Sequence, residues 1–198
     1  MTTLLAALLL AAPAQAKGDP CADEAAVAEA SAQLKALHEA DDADHKAPTT
    51  ATEEAGDKRA KEVAKLVKKG LVCTPQDKWY AASVLRRSDK ARDVATAFEL
   101  AEASMMAHVH SGAWLTAMLF DLREVTLGQP QRYGSQMGKK GAKTCLYPLA
   151  TDATDAERAQ YDMPPISDAY RRLLDANNLT QAPATWDAVD EADLWCEP

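Results

Sequence analysis

A nine-residue stretch of the sequence reads Gly128-Gln129-Pro130-Gln131-Arg132-Tyr133-Gly134-Ser135-Gln136 and comes directly after an amphipathic helical pattern. Two glycines and a proline this close together prevent the preceding helix from continuing. Glutamine amides and a phenol form hydrogen bonds, but they supply neither nucleophiles nor strong bases. The stretch therefore predicts a shaped polar loop that folds against the backbone. It indicates a binding or structural role more strongly than a reaction.

Helical patterns separated by short turns surround this polar loop. They are predicted at residues 23–40, 52–69, 75–87, 91–108, 111–127, 155–161 and 167–177. Thr74-Pro75-x-Asp77 is the strongest helix start, because threonine caps a helix, proline fits its first turn and aspartate favours its positive end. Helices of this length with short connections favour antiparallel neighbours. We expect a mainly α fold, an antiparallel, helical-repeat-like array with a small strand pair near residues 143–149.

Two segments are expected outside the regular helices. Residues 41–50 are polar and contain paired aspartates and a proline, which predicts a loop. The acidic tail, residues 180–198, is expected on the surface. Its two tryptophans, Trp186 and Trp195, and the neighbouring Cys196 indicate that the tail is nevertheless held in place.

The N-terminal sixteen residues have the pattern of a secretory signal peptide. An apolar run at residues 4–12 is too short to span a bilayer, and Ala14-Gln15-Ala16 fits a small-x-small cleavage site. The segment before the run contains no lysine or arginine, so an N-terminal helix of the mature fold and an incorrect start codon are the alternatives. We expect an exported protein, periplasmic or extracellular, with one helical domain at residues 17–198 and no membrane span.

Four cysteines, Cys21, Cys73, Cys145 and Cys196, form an even set suited to an oxidising compartment. Three pairings are possible. We favour Cys21–Cys73 with Cys145–Cys196, because each bond then stays within one half of the chain. The spacing contains no Cys-x-x-Cys pair, so a zinc site or a redox motif is not expected.

The formal net charge of −8 is unevenly distributed along the chain. Residues 1–50 carry 3 basic and 8 acidic side chains, residues 51–150 carry 16 basic and 11 acidic ones, and residues 151–198 carry 3 basic and 11 acidic ones. Acidic ends that lie over a basic middle explain this pattern without any partner. Nucleic-acid binding is disfavoured, because a net acidic chain repels phosphates.

Asp121 is the main candidate functional residue. It shares a predicted helix face with Trp114, Met118 and Val125, and a carboxylate on an apolar face needs a partner or a raised pKa. Asp121 either anchors the polar loop, through backbone N–H groups or an arginine such as Arg132, or takes part in catalysis or ligand binding. The accompanying ligand-binding candidates are Arg123, Gln131, Tyr133 and Gln136.

The histidines give weaker signals. His38, Asp42 and His45 would line one helix face and suit a metal ion only if the first helix continued past residue 40. His108 and His110 do not face the same way on a helix and are read as core or helix-end residues. We therefore expect no metal site and no cofactor.

The loop and its flanks resemble an uncharacterised, mainly bacterial family of helical domains with the signature G-x-P-Q-x-[YF]-G-[ST]-Q. Further matching segments are Trp79-Tyr80-Ala81-Ala82, Ser88-Asp89-Lys90, Glu99-Leu100-Ala101, Trp114-Leu115-x-Ala117, Asp121, Glu157-Arg158 and Met163-Pro164-Pro165-Ile166. The likeness covers roughly residues 75–174. This chain departs from the family at polar positions, with Arg86-Arg87 for Gln-His, Phe98 for His and Leu122 for Arg. The resemblance implies a helical fold and no particular activity.

Together these patterns favour a non-enzymatic module that binds a peptide, a glycan or a protein, with residues 128–136 as one wall of its groove. The alternative is a hydrolase or transferase that uses Asp121 as acid or base, with Arg123, Tyr133 and Gln136 orienting the substrate. An enzyme requires Asp121 and a second titratable group in an open pocket. A binding module requires Asp121 to be enclosed by loop amides beside an exposed groove.

Overall fold

A computed structural model describes residues 19–46 and 49–197 of the protein. These residues form eight α-helices and one two-stranded antiparallel sheet, which confirms the expected mainly α class with a small strand pair. The expected signal peptide, residues 1–16, lies outside the described residues. None of the helices in the described part of the chain has the length and apolar character that crossing a bilayer requires.

The elements follow one another in a simple order. Before the polar loop come a short 3-10 helix, Pro20–Ala22, and five helices: α1 Glu24–Lys46, α2 Thr50–Lys68, α3 Pro75–Leu85, α4 Ala91–Met106 and α5 Gly112–Thr126. After the loop come β1 Met137–Lys140, β2 Lys143–Leu146, α6 Asp155–Gln160, α7 Ile166–Ala176 and α8 Trp186–Glu191. The strands pair with Gly138 opposite Cys145, so the sheet begins earlier than the expected residues 143–149.

The start of α3 has the geometry that its sequence predicts. The Thr74 hydroxyl accepts the Asp77 N–H at 3.0 Å, and the Asp77 carboxylate accepts the Thr74 N–H at 3.1 Å. This reciprocal pair satisfies two backbone donors that the first helical turn leaves free. Asp77 also accepts the Ser31 hydroxyl at 2.8 Å, so the same residue connects α3 to α1.

Two hydrophobic cores lie on either side of the polar loop in the sequence. Helices α1 to α5 pack against one another around Leu34, Val63, Leu85, Leu115 and Leu119, all 1% exposed or less. Residues after the loop pack around a second set: Leu146, Leu173, Leu174, Val189 and Leu194. A smaller cluster of Ala117, Tyr133 and Met163 joins α5 to the loop and to the segment after α6.

The expectation of a loop at residues 41–50 is wrong for its first part, because α1 continues to Lys46. Asp41 is buried within this extension, where it meets Arg59 at 3.2 Å and Arg87 at 2.8 Å. Two guanidinium groups from other elements compensate the aspartate that would otherwise favour a turn. The next helix, α2, begins at Thr50, two residues before its expected start.

The acidic tail is only partly at the surface, which corrects the expectation for residues 180–198. Thr185 caps α8 by accepting the Ala188 N–H, and Val189 and Leu194 are fully buried. The Cys196 N–H donates to the Leu146 carbonyl at 2.9 Å. The tail is therefore held against β2, as its tryptophans and cysteine indicated.

Both disulfides have the favoured pairing. Cys21 is bonded to Cys73 and Cys145 to Cys196, with sequence separations of 52 and 51 residues. The first bond attaches the segment before α1 to the segment before α3. The second attaches β2 to the end of the tail, so each bond strengthens a different half of the chain.

Candidate functional site

Asp121 lies on α5 and is completely buried, beneath the polar loop. Its Oδ1 accepts the backbone N–H groups of Arg132 at 2.7 Å and Tyr133 at 2.9 Å. Its Oδ2 accepts the Ser135 N–H at 2.9 Å and the Ser135 hydroxyl at 2.8 Å. A carboxylate with four donors around its two oxygens is enclosed by the loop and has no open face for a substrate.

Two opposing effects act on the ionisation of Asp121. Burial removes water from the carboxylate and raises its pKa, and this is the larger effect. The hydrogen bonds from Tyr133, Ser135 and Arg132 favour the ionised form and lower the pKa. All four bonded groups act as donors, so the arrangement suits an acceptor-only carboxylate. Asp121 therefore organises the loop around a buried negative charge.

Gln131 connects the two ends of the loop to the strand region. Its side chain is completely buried and donates to the carbonyl oxygens of Gln136 at 3.0 Å and Tyr147 at 2.8 Å. Its Oε1 accepts the Gln136 N–H at 2.8 Å. With these three bonds the amide is used within the protein, so Gln131 shapes the loop and does not face a groove.

Tyr133 lies in a row of aromatic rings that connects the polar loop to α5. It is 4% exposed and meets Phe120 edge to face, with ring centroids 5.8 Å apart. On its other side Tyr161 lies 4.9 Å away. Burial, with a smaller contribution from Tyr161, raises the pKa of the Tyr133 phenol, so this group stays protonated at neutral pH. Tyr133 packs the loop and is not exposed as a ligand contact.

Arg123 lies apart from the other candidates. Its guanidinium stacks on Phe98 at 4.6 Å and on Phe120 at 4.9 Å, and it pairs with Glu124 at 2.8 Å. The arginine thus reaches the loop only indirectly, through the ring of Phe120. Asp121, Gln131, Tyr133 and Gln136 are brought together by the fold, whereas Arg123 is directed toward α4.

Trp114 also differs from its expected position on a buried face, since it is 38% exposed. The buried apolar side chains of α5 are Leu115, Ala117 and Leu119, of which only Ala117 lies one turn from Asp121 on the same face. Asp121 is buried, whereas Trp114 of its expected face is not.

Gln136 is the loop residue that borders an open cavity. Its Nε2 donates to the Met118 carbonyl at 3.2 Å and to the Ser135 hydroxyl at 2.8 Å. We name this cavity the arginine cleft; its volume is about 190 Å³, and it is lined by Arg86, Arg87, Met118, Leu119, Leu122 and Gln136. The loop therefore contributes one residue, Gln136, to the lining of this cleft.

The two arginines of this cleft differ in their partners. Arg87 Nε donates to Asp41 at 2.8 Å, and its Nη2 is buried with no hydrogen-bond partner among the described residues. Arg86 Nε donates to the Ser83 carbonyl at 3.0 Å. Burial and the neighbouring charge of Arg87 lower the pKa of Arg86. Sequence analysis noted Arg86-Arg87 only as a departure from a family pattern, because nothing local indicates the facing loop.

A second cavity, of about 300 Å³, lies between α1 and α2, and Asp41, Asp44, His45, Arg59 and Arg87 contribute to its lining. His38 instead packs on Trp79 at 4.6 Å. Although α1 does extend through His38, Asp42 and His45, the described residues contain no group of three or more His, Cys, Asp or Glu side chains arranged to hold a metal ion. His108 and His110 lie beyond the end of α4 and are exposed.

A third cavity has one loop residue, Arg132, in its lining. We name it the Arg158 pocket; its volume is about 290 Å³, and it is lined by Arg132, Leu149, Ala150, Thr151, Ala153, Thr154, Asp155, Arg158, Ile166, Tyr170 and Trp186. Arg132 reaches its rim and is held there by Glu157 and by Asp152 at 3.2 Å. Sequence reasoning missed this pocket, since its residues come from four separate segments.

Comparison with known proteins gives no relative: no family model, no curated protein and no solved structure matches this chain.

Proposed function

We propose that this protein is a non-enzymatic binding module that receives an acidic side chain of a peptide or protein partner in the arginine cleft. The observation that supports the proposal most is that the Arg86 guanidinium has few hydrogen-bond acceptors within the described part of the protein. Among the described residues its guanidinium has one hydrogen-bond acceptor, the Ser83 carbonyl, whereas Arg87 beside it already binds Asp41. A partly buried arginine next to a second arginine favours an incoming carboxylate, which forms paired charge-assisted hydrogen bonds with guanidinium groups.

The dimensions of the cleft support a side chain as its occupant. Cavities that enclose drug-sized ligands span about 300–1,000 Å³, and the arginine cleft measures about 190 Å³. Met118, Leu119 and Leu122 supply apolar walls for the methylene groups of a glutamate or aspartate. A larger partner would thus insert one residue here and contact the surrounding surface with the rest.

The enclosure of Asp121 argues for binding over catalysis. A general acid or base must lie within hydrogen-bond reach of its substrate. Four loop donors occupy Asp121, and Tyr133 is buried against Phe120 and Tyr161. The proposed hydrolase or transferase reaction would require the whole loop to detach before Asp121 met a substrate.

The setting of this module is also part of the proposal. Two disulfides suit an exported, periplasmic or extracellular protein, because such bonds persist in oxidising compartments. A signal peptide at residues 1–16 agrees with this setting. Membership of the bacterial family with the loop signature stays a prediction from the sequence, and it implies no activity.

Selection of random peptides displayed on phage against the folded protein tests the proposal. We expect the recovered peptides to be enriched in aspartate and glutamate, and their binding to weaken by about tenfold or more in the Arg86→Gln variant, the loss of roughly one charge-assisted hydrogen bond. Arg86 makes one hydrogen bond to the Ser83 carbonyl, so this change leaves the Asp41 ion pairs intact.

Arg92→Gln is the matched control, because the Arg92 side chain is 86% exposed and lies outside the cleft. The proposal fails if the selected peptides lack acidic residues, or if Arg86→Gln and Arg92→Gln weaken binding equally.

A further inference from the structure

Arg158 is an unusual buried charge. Its side chain is only 2% exposed, and its Nε and Nη2 both donate to the Pro164 carbonyl, at 2.8 and 2.6 Å. Its Nη1 is buried and has no hydrogen-bond partner among residues 19–46 and 49–197. A buried donor without an acceptor destabilises the folded state. Arg158 also lines the Arg158 pocket, although this nitrogen itself lies against Gly134.

The charges around the pocket disfavour an anion as that ligand. Arg132 is already paired with Glu157 and Asp152. Asp155 lies 3.6 Å from Arg158, and the buried Asp121 also acts electrostatically on the same guanidinium. Both arginines are therefore compensated by carboxylates, although one buried donor of Arg158 has no acceptor among the described residues. A neutral ligand with hydroxyl groups meets this combination better than a carboxylate or a phosphate.

Trp186, which also lines the pocket, offers an aromatic platform. The Trp186 side chain is 48% exposed, and its ring lies 4.2 Å from that of Trp195, at 38°. Trp195 in turn meets Tyr170 edge to face, with centroids 6.4 Å apart, so the exposed indole is supported from behind. Ile166 and Leu149 extend the apolar surface into the pocket. Such a platform suits a flat ligand with an apolar face.

The polar groups near this platform include both donors and acceptors. Asp155 uses Oδ1 to accept the Ile166 N–H at 2.7 Å, and its side chain is 52% exposed. Thr151 and Thr154 add hydroxyl groups at the rim. A hydroxyl group donates and accepts at once, so neighbouring hydroxyls can bridge a guanidinium and a carboxylate.

From this arrangement we propose that the Arg158 pocket binds one neutral pyranose sugar. The C–H face of the sugar ring would lie on Trp186, with its hydroxyl groups directed to Arg158 and Asp155. A volume of about 290 Å³ accommodates a single ring more readily than a long glycan chain. This site shares no lining residue with the arginine cleft, and its test does not depend on ligand binding in that cleft.

A titration of the intact protein with methyl glycosides tests the proposal. The probes are the methyl glycosides of glucose, galactose, mannose and N-acetylglucosamine, each followed through the Trp186 indole N–H signal by NMR. We expect at least one glycoside to shift this signal with saturation at concentrations on the order of 10 mM or below, the weak end of specific recognition. Sodium acetate and inorganic phosphate, the anionic probes, should not saturate it.

Two variants locate the site. Binding to these variants is measured from the NMR signals of the glycoside, because Trp186→Ala lacks the indole signal. Trp186→Ala removes an exposed platform and should weaken glycoside binding about tenfold or more, whereas Trp114→Ala, at another exposed tryptophan, should not. Arg158→Lys keeps the charge but removes the fork of donors and should also weaken binding; its folding is checked by circular dichroism. The proposal is overturned if no glycoside saturates the signal, if the anions bind instead, or if Trp114→Ala has the larger effect. If Arg158→Lys does not fold, the comparison of Trp186→Ala with Trp114→Ala alone decides whether the proposal holds.

Discussion

At the scale of single residues, Asp121 determines the shape of the polar loop. Three backbone N–H groups and one hydroxyl converge on its carboxylate from residues 132–135. An asparagine at this position keeps the size of the side chain but replaces one acceptor oxygen with a donor NH₂ group. That group would face N–H or O–H donors that have no other acceptor nearby.

We therefore expect Asp121→Asn to lower the free energy of unfolding by roughly 3 kcal/mol, since a buried charged acceptor and its bonds are lost. Urea unfolding followed by circular dichroism measures the change. Asp89→Asn, an exposed aspartate, is the control and should stay within about 0.5 kcal/mol of wild type. Equal stabilities of the two variants would show that Asp121 does not anchor the loop.

Gly134 supplies a second residue-scale test, because its backbone is left-handed and its surroundings are closed. Its φ is +63°, and a Cβ atom there would lie 2.6 Å from Ile166 Cδ1 and 3.3 Å from Arg158 Nη1. Gly141 has nearly the same φ, +62°, but nothing within 4 Å of a Cβ. The two glycines therefore separate backbone strain from steric contact.

We expect Gly141→Ala to cost about 1 kcal/mol, the strain of a left-handed alanine. Gly134→Ala should cost a further 1–3 kcal/mol or so, because the added methyl overpacks the contact with Ile166. Thermal and urea unfolding of the two variants give the difference. If Gly134→Ala were no more destabilising than Gly141→Ala, the loop would not be packed against α7 as described.

At the scale of elements, local signals in the sequence predicted most helices correctly. Thr74 caps α3 as expected, Asp77 in addition accepts the Thr74 N–H, and Gly128, with φ +70°, follows the end of α5. Where prediction failed, the cause was a distant partner. Residues 41–46 continue α1 because Arg59 and Arg87, far along the chain, pair with Asp41.

The same reasoning explains what could not be predicted of the site. The inward position of Asp121 and its contact with the loop followed from helical spacing. The burial of Gln131 did not, because its side chain bonds to Tyr147, a residue of the segment after β2. The shared cavity of Gln136 and Arg86 could not be predicted either, because it depends on how α3 packs beside α5.

The two disulfides close chain loops of nearly equal length, so the stabilisation that each bond provides can be compared directly. Separations of 52 and 51 residues give each bond about 4 kcal/mol of stabilisation in the chain-entropy model. Cys145 and Cys196 are buried, whereas Cys21 is exposed. Replacing both partners by alanine should therefore destabilise more at Cys145 and Cys196, where packing is lost as well.

Urea unfolding of the two double variants measures this difference. A larger loss in the Cys21→Ala, Cys73→Ala variant would contradict the view that the second disulfide lies within a packed core.

At the scale of the whole molecule, the uneven charge of the sequence is resolved by ion pairs between its regions. Asp41 from the acidic start pairs with Arg59 and Arg87 of the basic middle. Asp193 from the acidic tail meets Lys140 at 2.6 Å. Some acidic residues of both ends thus pair with basic residues of the middle of the chain.

His38 makes the stability of the first core depend on pH. Burial against Trp79 and Tyr80 is the main cause that lowers its pKa from 6.5. In the unfolded chain the imidazole has its ordinary pKa, so the unfolded state binds more protons below that value. The contribution of His38 to stability is complete above about pH 6.5 and is lost as the pH falls through the lowered folded-state pKa.

We expect His38→Phe, which keeps an aromatic ring but cannot titrate, to show a flatter decline in unfolding free energy between about pH 7 and 5 than wild type. Urea unfolding at a series of pH values provides the two curves. His45→Gln serves as a comparison, because the charge of Arg87 is the main cause that lowers the pKa of His45. Its effect should weaken in high salt, whereas that of His38 should persist. Parallel curves for wild type and His38→Phe would contradict this assignment.

Both proposed sites include a residue of the polar loop, Gln136 in the arginine cleft and Arg132 in the Arg158 pocket, so both depend on Asp121 holding the loop in place. Amide hydrogen exchange at Arg132, Tyr133 and Ser135 measures this directly, because these are the three N–H groups bonded to Asp121. We predict that the three amides exchange much more slowly than Gly141 in the exposed hairpin turn, and that Asp121→Asn removes their protection. Exchange of all three at the rate of an unstructured peptide in the wild-type protein would contradict the claim.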